Sequence, residues 1–306
     1  GYPDELNATA KIALTLKHRL RGGESELEIF YRGLAQADCL YDNLCAVDEN
    51  FDLRLRRLQE WQEHEPGSIA PLVALMRFWH VAAWAARGCG FIKDVTPAQL
   101  QEFGERLGTE MGYARQIKPE DDPEATRLLL ELGRDVNLPR PQVDAIFAAG
   151  RKHFPTYFPI YTTYANMVQE KWSGSRDLAV PYRPSLLSDP DRDTAEVAYS
   201  FSSVILLYAT EDDDVYNAVT GLDWPTVRHA FATRERVYGL APRDWIAVCY
   251  FAAVAGDRAA ARDAFAHFAG QMTYWPKRGS HDFYLYVLPW IMARNNGPTD
   301  GPSHEP

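Results

Sequence analysis

Residues Ser68–Gly88 read SIAPLVALMRFWHVAAWAARG, and this stretch decides the fold. Pro71 is tolerated in the first turn of a helix, and Gly88 is placed to end the helix after Arg87. Between them, apolar side chains recur at the i, i+3, i+4 and i+7 spacing of one helix face, at Leu72, Leu75, Met76, Trp79, Ala83 and Ala86. The pattern predicts one long helix.

A second helix is predicted just before it, in FDLRLRRLQEWQEHEPG from Phe51 to Gly67. Its apolar stripe comprises Phe51, Leu55, Leu58 and Trp61. Because Pro66 and Gly67 leave only a short turn, the two helices are expected to form a hairpin. Similar pairs recur within residues 139–172 and 223–272. We therefore predict an all-α fold, a superhelical array of antiparallel helix hairpins with roughly eleven to fourteen helices.

The segment WIAVCYFAAVAGDRAAARDAFAHF, from Trp245 to Phe268, resembles a tetratricopeptide repeat. The matching positions are Trp245, Val248, Ala252, Gly256, Asp257, Ala261 and Phe265. Cys249 stands where a glycine is usual, and Ala252 where a tyrosine is usual. More widely, HEPGSIAPLVALMRFWHVAAWAARG, FPTYFPIYTTY with KWSGSRDL, and DWPTVRHAF are similar to a bacterial tetratricopeptide-like (TPR-like) family of unknown function. This resemblance spans roughly residues 50–270; it implies an α-solenoid and no catalytic residues.

We expect a single helical-repeat domain over residues 1–293. Its parts are irregular N-terminal helices at 1–50, TPR-like hairpins at 51–270 and C-terminal helices at 271–293. The tail 294–306, RNNGPTDGPSHEP, is predicted to be disordered because it is rich in Pro, Gly and polar residues. Residues 179–193, AVPYRPSLLSDPDRD, contain three prolines and are predicted to form an irregular connection, of a length that is usually functional.

The net charge and the length of the apolar runs restrict the classes of partner that the chain is expected to bind. The 306 residues carry a formal net charge of −10, which argues against nucleic acid and anionic membranes and favours a basic partner. No uninterrupted apolar run is long enough to insert in a membrane, so the chain as given is expected to be soluble. The start, GYPDELNATAKIALTLKHRL, has charges where a signal peptide is apolar, and it lacks an initiator Met. A cytoplasmic compartment and a periplasmic one after leader removal both stay open.

The loop KWSGSRDL, from Lys171 to Leu178, has neither the glycine-rich pattern of a phosphate loop nor the elbow of a nucleophilic serine. We interpret it as a helix end near Trp172, with Gly174 supplying a left-handed or otherwise strained backbone angle and Ser175 starting the next helix. Trp172 and Arg176 flank that glycine. An indole and a guanidinium at this position can hold a partner's carboxylate or aromatic ring.

Aromatic residues make up 12% of the chain, and the segment before this loop is dense in them. Core packing accounts for many such rings, but those between Phe154 and Trp172 exceed one buried stripe. We predict that some line a partner-binding groove together with cationic side chains. The predicted partner-binding residues are Tyr157, Tyr161, Tyr164, Trp172, Arg176, Arg77 and His80.

No metal site or cofactor is expected. Asp189, Asp191 and Asp193 have the alternate spacing of a calcium loop, but Thr194 replaces the required glycine and the bidentate glutamate is missing. Asp193 is therefore predicted to cap a helix that starts near Thr194. The acidic run Glu211–Asp214 is interpreted as a solvated turn that could also steer a basic partner.

The four cysteines lack zinc-ligand spacing. If Cys39 and Cys45 shared one helix they would be about 9 Å apart along its axis, too far for a disulfide, so a bridge between them requires a turn. Buried thiols that behave as small apolar groups are the alternative for these residues, for Cys89 and for Cys249. A Cys89 nucleophile is disfavoured, since a helix C-terminus destabilises a thiolate.

No catalytic residue is predicted, because the histidines form no metal or triad pattern. We expect a non-catalytic protein–protein interaction module that binds a protein or peptide in a groove lined by aromatic and Arg side chains. Within that class, an assembly scaffold and an immunity-type inhibitor of a basic toxin fit the acidic charge. The alternative is a hydrolase-like enzyme with a pocket under residues 179–193, which would hold a histidine and a carboxylate together.

Overall fold

The structure is a computed structural model that describes residues 2–35, 50–88, 92–172, 174–208, 223–269 and 287–292. Every regular element within these ranges is a helix: fourteen α-helices and two short 3-10 helices. An isolated bridge pairs Arg19 with Ser25, and no strand is present in the described ranges. The prediction of an all-helical chain is confirmed for these residues.

The chain divides into two compact units. Unit 1 comprises Gly1–Arg19 and Glu24–Tyr164, and unit 2 comprises Leu20–Gly23 and Ala165–Pro306. This grouping does not test whether the two units fold as one domain, so the single-domain expectation for 1–293 stays a prediction. Four expectations fall outside the described residues: the pairing of Cys39 with Cys45, the role of Cys89, the acidic run 211–214 and the disordered tail 294–306.

In the part of unit 1 that the structure describes, there are seven α-helices and the start of an eighth. They are α1 (Tyr2–Leu16), α2 (Glu26–Leu34), α3 (Phe51–His64), α4 (Ala70–Arg87), α5 (Pro97–Ala114), α6 (Pro123–Asp135), α7 (Arg140–His153) and α8 (Pro159–Met167), within which the unit boundary falls. A 3-10 helix, Ile92–Asp94, precedes α5.

Helix α4 is formed by the Ser68–Gly88 stretch, and it is the centre of unit 1. It contacts α1, α2, α3, α5 and α6. Gly88 ends it with a φ of 81°, a conformation that glycine adopts without strain. Because neighbours surround α4, burial extends beyond the predicted apolar stripe to Arg77 and His80.

Local signals set the ends of the neighbouring helices. Thr96 and Gln99 form a capping box at the start of α5. At the start of α6, the Asp122 carboxylate accepts hydrogen bonds from the backbone N–H groups of Glu124 (2.7 Å) and Ala125 (3.1 Å). Asp122 is itself buried, and the Tyr31 hydroxyl of α2 donates to it at 3.2 Å. The cap therefore also connects α6 to α2.

Among its described residues, unit 2 contains a 3-10 helix, Glu170–Trp172, the end of α8 and six further α-helices. They are α9 (Arg176–Leu186), α10 (Arg192–Tyr208), α11 (Trp224–Tyr238), α12 (Pro242–Val254), α13 (Arg258–Ala266) and α14 (Leu288–Met292). Helix α10 packs on α9 and α11, and α13 packs on α12 and α14. The core is centred on α12, which is buried almost along its whole length.

A buried arginine attaches residues 20–23 to unit 2. Arg234 is 1% exposed; its Nε donates to the carbonyl of Gly22 (2.9 Å) and its Nη2 to Asp244 (2.7 Å). Its guanidinium also lies 3.6 Å from the ring centroid of Phe201. The bond to Gly22 therefore ties this short segment to α11, and the bond to Asp244 satisfies the buried charge.

The helix end at KWSGSRDL differs in detail from the prediction. Helix α8 ends at Met167, and a 3-10 helix carries the chain on to Trp172. A Cβ at Gly174 would lie 2.2 Å from the backbone carbonyl of Val168, so close approach of the backbone accounts for the glycine. Ser175 precedes α9, as expected.

Two further expectations are wrong. Residues 179–193 are not irregular throughout, since α9 includes Pro181 and Pro184. Pro181 and Pro184 are the sixth and ninth residues of this helix, and each removes a backbone N–H that would otherwise donate to the carbonyl four residues earlier. The cap of α10 is Asp191 rather than Asp193: its carboxylate lies 3.3 Å from the N–H of Thr194 and accepts the Thr194 hydroxyl at 2.8 Å.

Candidate functional site

The candidate functional sites are a polar cluster in unit 1 and a partly polar cavity in unit 2. The buried ion-pair cluster of unit 1 comprises Arg77, His80, Glu110, Glu124, Arg127, Glu131 and Tyr157. The α10–α11 cavity of unit 2 is lined by Leu187, Asp189, Arg192, Ala195, Glu196, Pro225, Thr226 and His229.

Glu124 is the centre of the buried ion-pair cluster. Its carboxylate has no exposed surface and accepts the Arg127 Nε and Nη2 (2.8 and 2.7 Å), Arg77 Nη1 and the Tyr157 hydroxyl (2.5 Å). Burial alone would raise the pKa of Glu124, but the charges of Arg127 and Arg77 hold that pKa below its ordinary value. The carboxylate is therefore ionised and fully engaged inside the unit.

His80 connects three helices in the same cluster. Its Nδ1 lies 3.2 Å from Glu110 of α5, and its Nε2 lies 3.4 Å from Glu131 of α6. Burial would lower the pKa of His80, but these two carboxylates raise it above 6.5. Glu131 also pairs with Arg127 at 2.6 Å, and the nearby cations lower the pKa of Glu131 to about 2 despite its burial.

Three of the predicted partner-binding residues thus come together, but they face inward. Arg77 is 7% exposed, His80 9% and Tyr157 2%, and each is bonded within unit 1. Sequence reasoning missed Glu124, the partner of Arg77 and Tyr157, as well as Arg127 and Glu131. The i, i+3, i+7 spacing of these three was a detectable signal of one shared face, although such a stripe usually faces solvent.

The other two predicted tyrosines are buried on α8, each with a bonded hydroxyl. Tyr161 donates to the carbonyl of Pro155 at 2.9 Å. Tyr164 donates to Asp144 at 2.7 Å, accepts from Arg140 and stacks on Phe147 with ring centroids 3.9 Å apart. In this conformation the two rings offer little surface to a partner, and their predicted binding role stays a prediction.

The last two predicted residues belong to unit 2. Trp172 is half-buried at the end of the 3-10 helix. Arg176 is the first residue of α9, and the role predicted for its side chain lies outside what the structure describes. The proposed pairing of the indole with the guanidinium is therefore untested.

The α10–α11 cavity has a volume of about 570 Å³. Its walls come from the connection between α9 and α10, the first turns of α10 and the first turns of α11. Leu187, Ala195 and Pro225 provide apolar surface, while carboxylate, guanidinium and imidazole groups provide polar surface. Ligand sites in proteins commonly have about 300–1,000 Å³ and this mixture of apolar walls with a few polar groups.

Glu196 is the most engaged polar residue of this cavity. Its side chain is 8% exposed; one carboxylate oxygen, Oε1, lies 2.7 Å from Arg192 Nε and 3.1 Å from His229 Nε2. The other oxygen accepts the hydroxyl of Thr233. Burial would raise the pKa of Glu196, but the hydrogen bonds from Thr233 and Arg192 lower it. An ionised carboxylate thus lies beside an imidazole at the wall.

The alternate aspartates next to the cavity each have a separate structural contact. The carboxylate of Asp189 accepts the N–H of Asp191 at 3.1 Å, and Asp191 in turn caps α10. Asp193 forms an ion pair with Arg236 at 2.5 Å. Their carboxylates therefore contact the start of α10 and the neighbouring helix α11.

Elsewhere, possible metal ligands and the one described thiol are separate from both sites. Among the described residues, the ligand atoms of Asp4, His64 and Glu65 lie within 4.8 Å of one another, and His64 already pairs with the exposed Asp4 at 3.1 Å. Cys249 is buried, its thiol lies 3.5 Å from the carbonyl of Ala261, and burial raises its pKa to about 12. It behaves as the small apolar group that was one of the two expectations.

No protein-family profile, curated protein or solved structure matches the chain. None of the helices in the described ranges has the length and apolar character required to cross a bilayer. The function is therefore inferred from the geometry and charge of the two sites.

Proposed function

We propose that the protein is a non-catalytic interaction module that binds a protein or peptide, and that the α10–α11 cavity receives part of that partner. The observation that carries this proposal is the cavity itself, about 570 Å³ in volume and lined by both apolar and charged side chains. A space of this size accommodates one large side chain with its flanking backbone. The formal net charge of −10 favours a basic partner.

The proposed binding surface differs from the groove expected from the sequence. The hydroxyls of Tyr157, Tyr161 and Tyr164 are already bonded within unit 1, so using them would require breaking buried contacts. The cavity residues Arg192 and His229, by contrast, have side chains 80% and 59% exposed. A partner can reach them without repacking the core.

A TPR-like solenoid is the architecture we propose for this module. Helices α12 and α13 support it, since they pack on each other across a turn in which Gly256 has a φ of 74°. Ala252 and Ala261 are fully buried, as the small residues of a repeat hairpin should be. Within this architecture, an assembly scaffold or an immunity-type inhibitor of a basic toxin remains the proposed role.

Selection from a displayed library of random peptides tests the proposal. Wild-type protein should enrich a set of peptides, and His229→Trp, which fills the cavity from an exposed position, should lose them. His153→Trp is the matched control, because His153 is exposed in unit 1 and does not line the cavity. Failure to enrich any peptide, or equal binding to both tryptophan variants, would contradict the proposed site.

A hydrolase-like activity is the second candidate, favoured by one observation. The cavity lies beside residues 187–192 and places His229 Nε2 3.1 Å from Glu196, which is the arrangement of a base with its orienting carboxylate. The hydroxyl that lines the cavity belongs to Thr226, and it donates to Asp223 rather than to His229. Hydrolysis of chromogenic esters and phosphoesters by wild type and His229→Gln decides between the candidates: a saturable rate that requires His229 would favour the enzyme.

A further inference from the structure

The ion pair of Glu196 with Arg192 differs from most surface ion pairs because the carboxylate is covered by protein, whereas the guanidinium is exposed to solvent. Glu196 is 8% exposed, whereas its partner Arg192 is 80% exposed. Thr233, a buried residue, holds one carboxylate oxygen from the interior side. Both neighbours of the other oxygen, Arg192 and His229, have side chains that are more than half exposed. That oxygen is thus the carboxylate's accessible side.

The guanidinium of Arg192 therefore occupies the position beside Glu196 that a cation of a ligand could take. Arg192 is the exposed member of the pair, and a long exposed side chain loses rotamer freedom when it is held in one ion pair. Displacing the guanidinium of Arg192 from Glu196 by another cation consequently costs little. Thr233 would keep the carboxylate in position during the exchange.

The remaining lining suits a cation on an apolar stem. Asp189 adds a second carboxylate, while Leu187, Ala195 and Pro225 add apolar surface. Lys and Arg side chains need both features, since their methylene stems pack on apolar groups while their charged ends reach acceptors.

An anionic ligand fits the same lining less well. Glu196 and Asp189 both line the cavity, and their negative charges would repel it. The Glu196 carboxylate, which is covered and already accepts a guanidinium, is the group that favours a positive ligand.

We infer that the α10–α11 cavity binds an arginine or lysine side chain of the partner, with Glu196 as its anchor and Arg192 as the group that it displaces. This inference rests on the proposed function and specifies the chemistry of the same site. It makes opposite predictions for the two members of one ion pair: removing Glu196 weakens binding, and removing Arg192 does not.

Short capped peptides with a central arginine, lysine, citrulline or glutamate are the probes, and amide chemical shifts of Ala195 and His229 report binding to the full chain. The arginine and lysine peptides should shift these signals, and citrulline, which is neutral but nearly the same shape, should bind at least about tenfold more weakly. Glu196→Gln should weaken the arginine peptide by about tenfold, while Arg192→Gln removes the competing guanidinium and should tighten it.

Matched controls distinguish the loss of the Glu196 contact from the loss of the folded structure. Glu235→Gln and Arg228→Gln make the same chemical changes at exposed positions of α11 that do not line the cavity, and both should bind as the wild type does. Asp189→Asn provides a second test of the carboxylates if Glu196→Gln lowers the helicity measured by circular dichroism.

Three results would overturn the inference. They are equal binding of arginine and citrulline peptides, binding of the glutamate peptide that requires Arg192, and the absence of cavity shifts with every peptide. The proposed function is judged separately by the display selection: peptides lost only on His229→Trp would support it even if the cation preference failed.

Discussion

Removing the charge of Glu124 should be the most destabilising conservative change in unit 1. Glu124→Gln keeps the shape of the side chain but replaces one acceptor oxygen with a donor NH₂ group. Four donors converge on the fully buried carboxylate, three of them from Arg77 and Arg127. Hydrogen bonds to charged groups contribute about 1.5–3 kcal/mol each, and breaking a buried ion pair on one side costs about 3–5 kcal/mol.

We therefore expect the free energy of unfolding to fall by about 3–5 kcal/mol, less if Arg127 is compensated by its second partner Glu131. For a unit of this size each kcal/mol lowers the melting temperature by about 2–4 °C, so a decrease of about 6–20 °C should be seen by calorimetry. Guanidinium titration followed by circular dichroism gives the free energy directly.

Glu102→Gln is the control for this experiment. Glu102 also pairs with an arginine, Arg106, but it is half-exposed on α5, and its loss should cost less than about 1 kcal/mol. If Glu124→Gln cost as little as Glu102→Gln, the cluster would have to be hydrated and replaceable by water. The structural role assigned to it would then be refuted.

Three further predictions concern other groups. The pKa of His80 is raised above its ordinary 6.5, so its ion pairs stabilise unit 1 fully below that pH and are lost as the pH rises through the raised pKa; His80→Gln should flatten this decline in denaturant titrations. Gly174→Ala should destabilise by about 1–3 kcal/mol, because its Cβ would meet the carbonyl of Val168, whereas Gly104→Ala, with nothing within 4 Å, should be neutral or stabilising in thermal unfolding. Cys249, with a thiol pKa of about 12, should resist alkylation near neutral pH until the chain unfolds, as measured by peptide mapping.

The helices could be predicted from the sequence wherever periodicity and end signals agree. Pro71 and Gly88 bracket α4 as expected, because these residues act through local backbone geometry. Prediction failed in α9. Pro181 and Pro184 predict a break in the helix, yet both lie within it. Local propensity is a weak indicator when tertiary packing decides.

The two sites were harder to predict because they depend on long-range contacts. Glu124, near the start of α6, looks like an acidic residue that stabilises a helix N-terminus, and nothing nearby in the sequence indicates that Arg77 meets it. The cavity likewise joins Leu187 to His229 across two helices. The enzyme alternative predicts a pocket under residues 179–193, and three residues of that segment, Leu187, Asp189 and Arg192, do line the cavity.

The difference between Glu124 and Glu196 decides where binding is expected. Both carboxylates are covered and both accept guanidinium groups, so burial and charge alone do not distinguish them. The donors to Glu124 are themselves buried, and none can leave without exposing an unpaired charge in the core. Arg192 reaches Glu196 from solvent and can return to it at little cost. A carboxylate whose partner is exchangeable is the one that a ligand can use, and for this reason we propose recognition at Glu196 and expect only a structural role for Glu124.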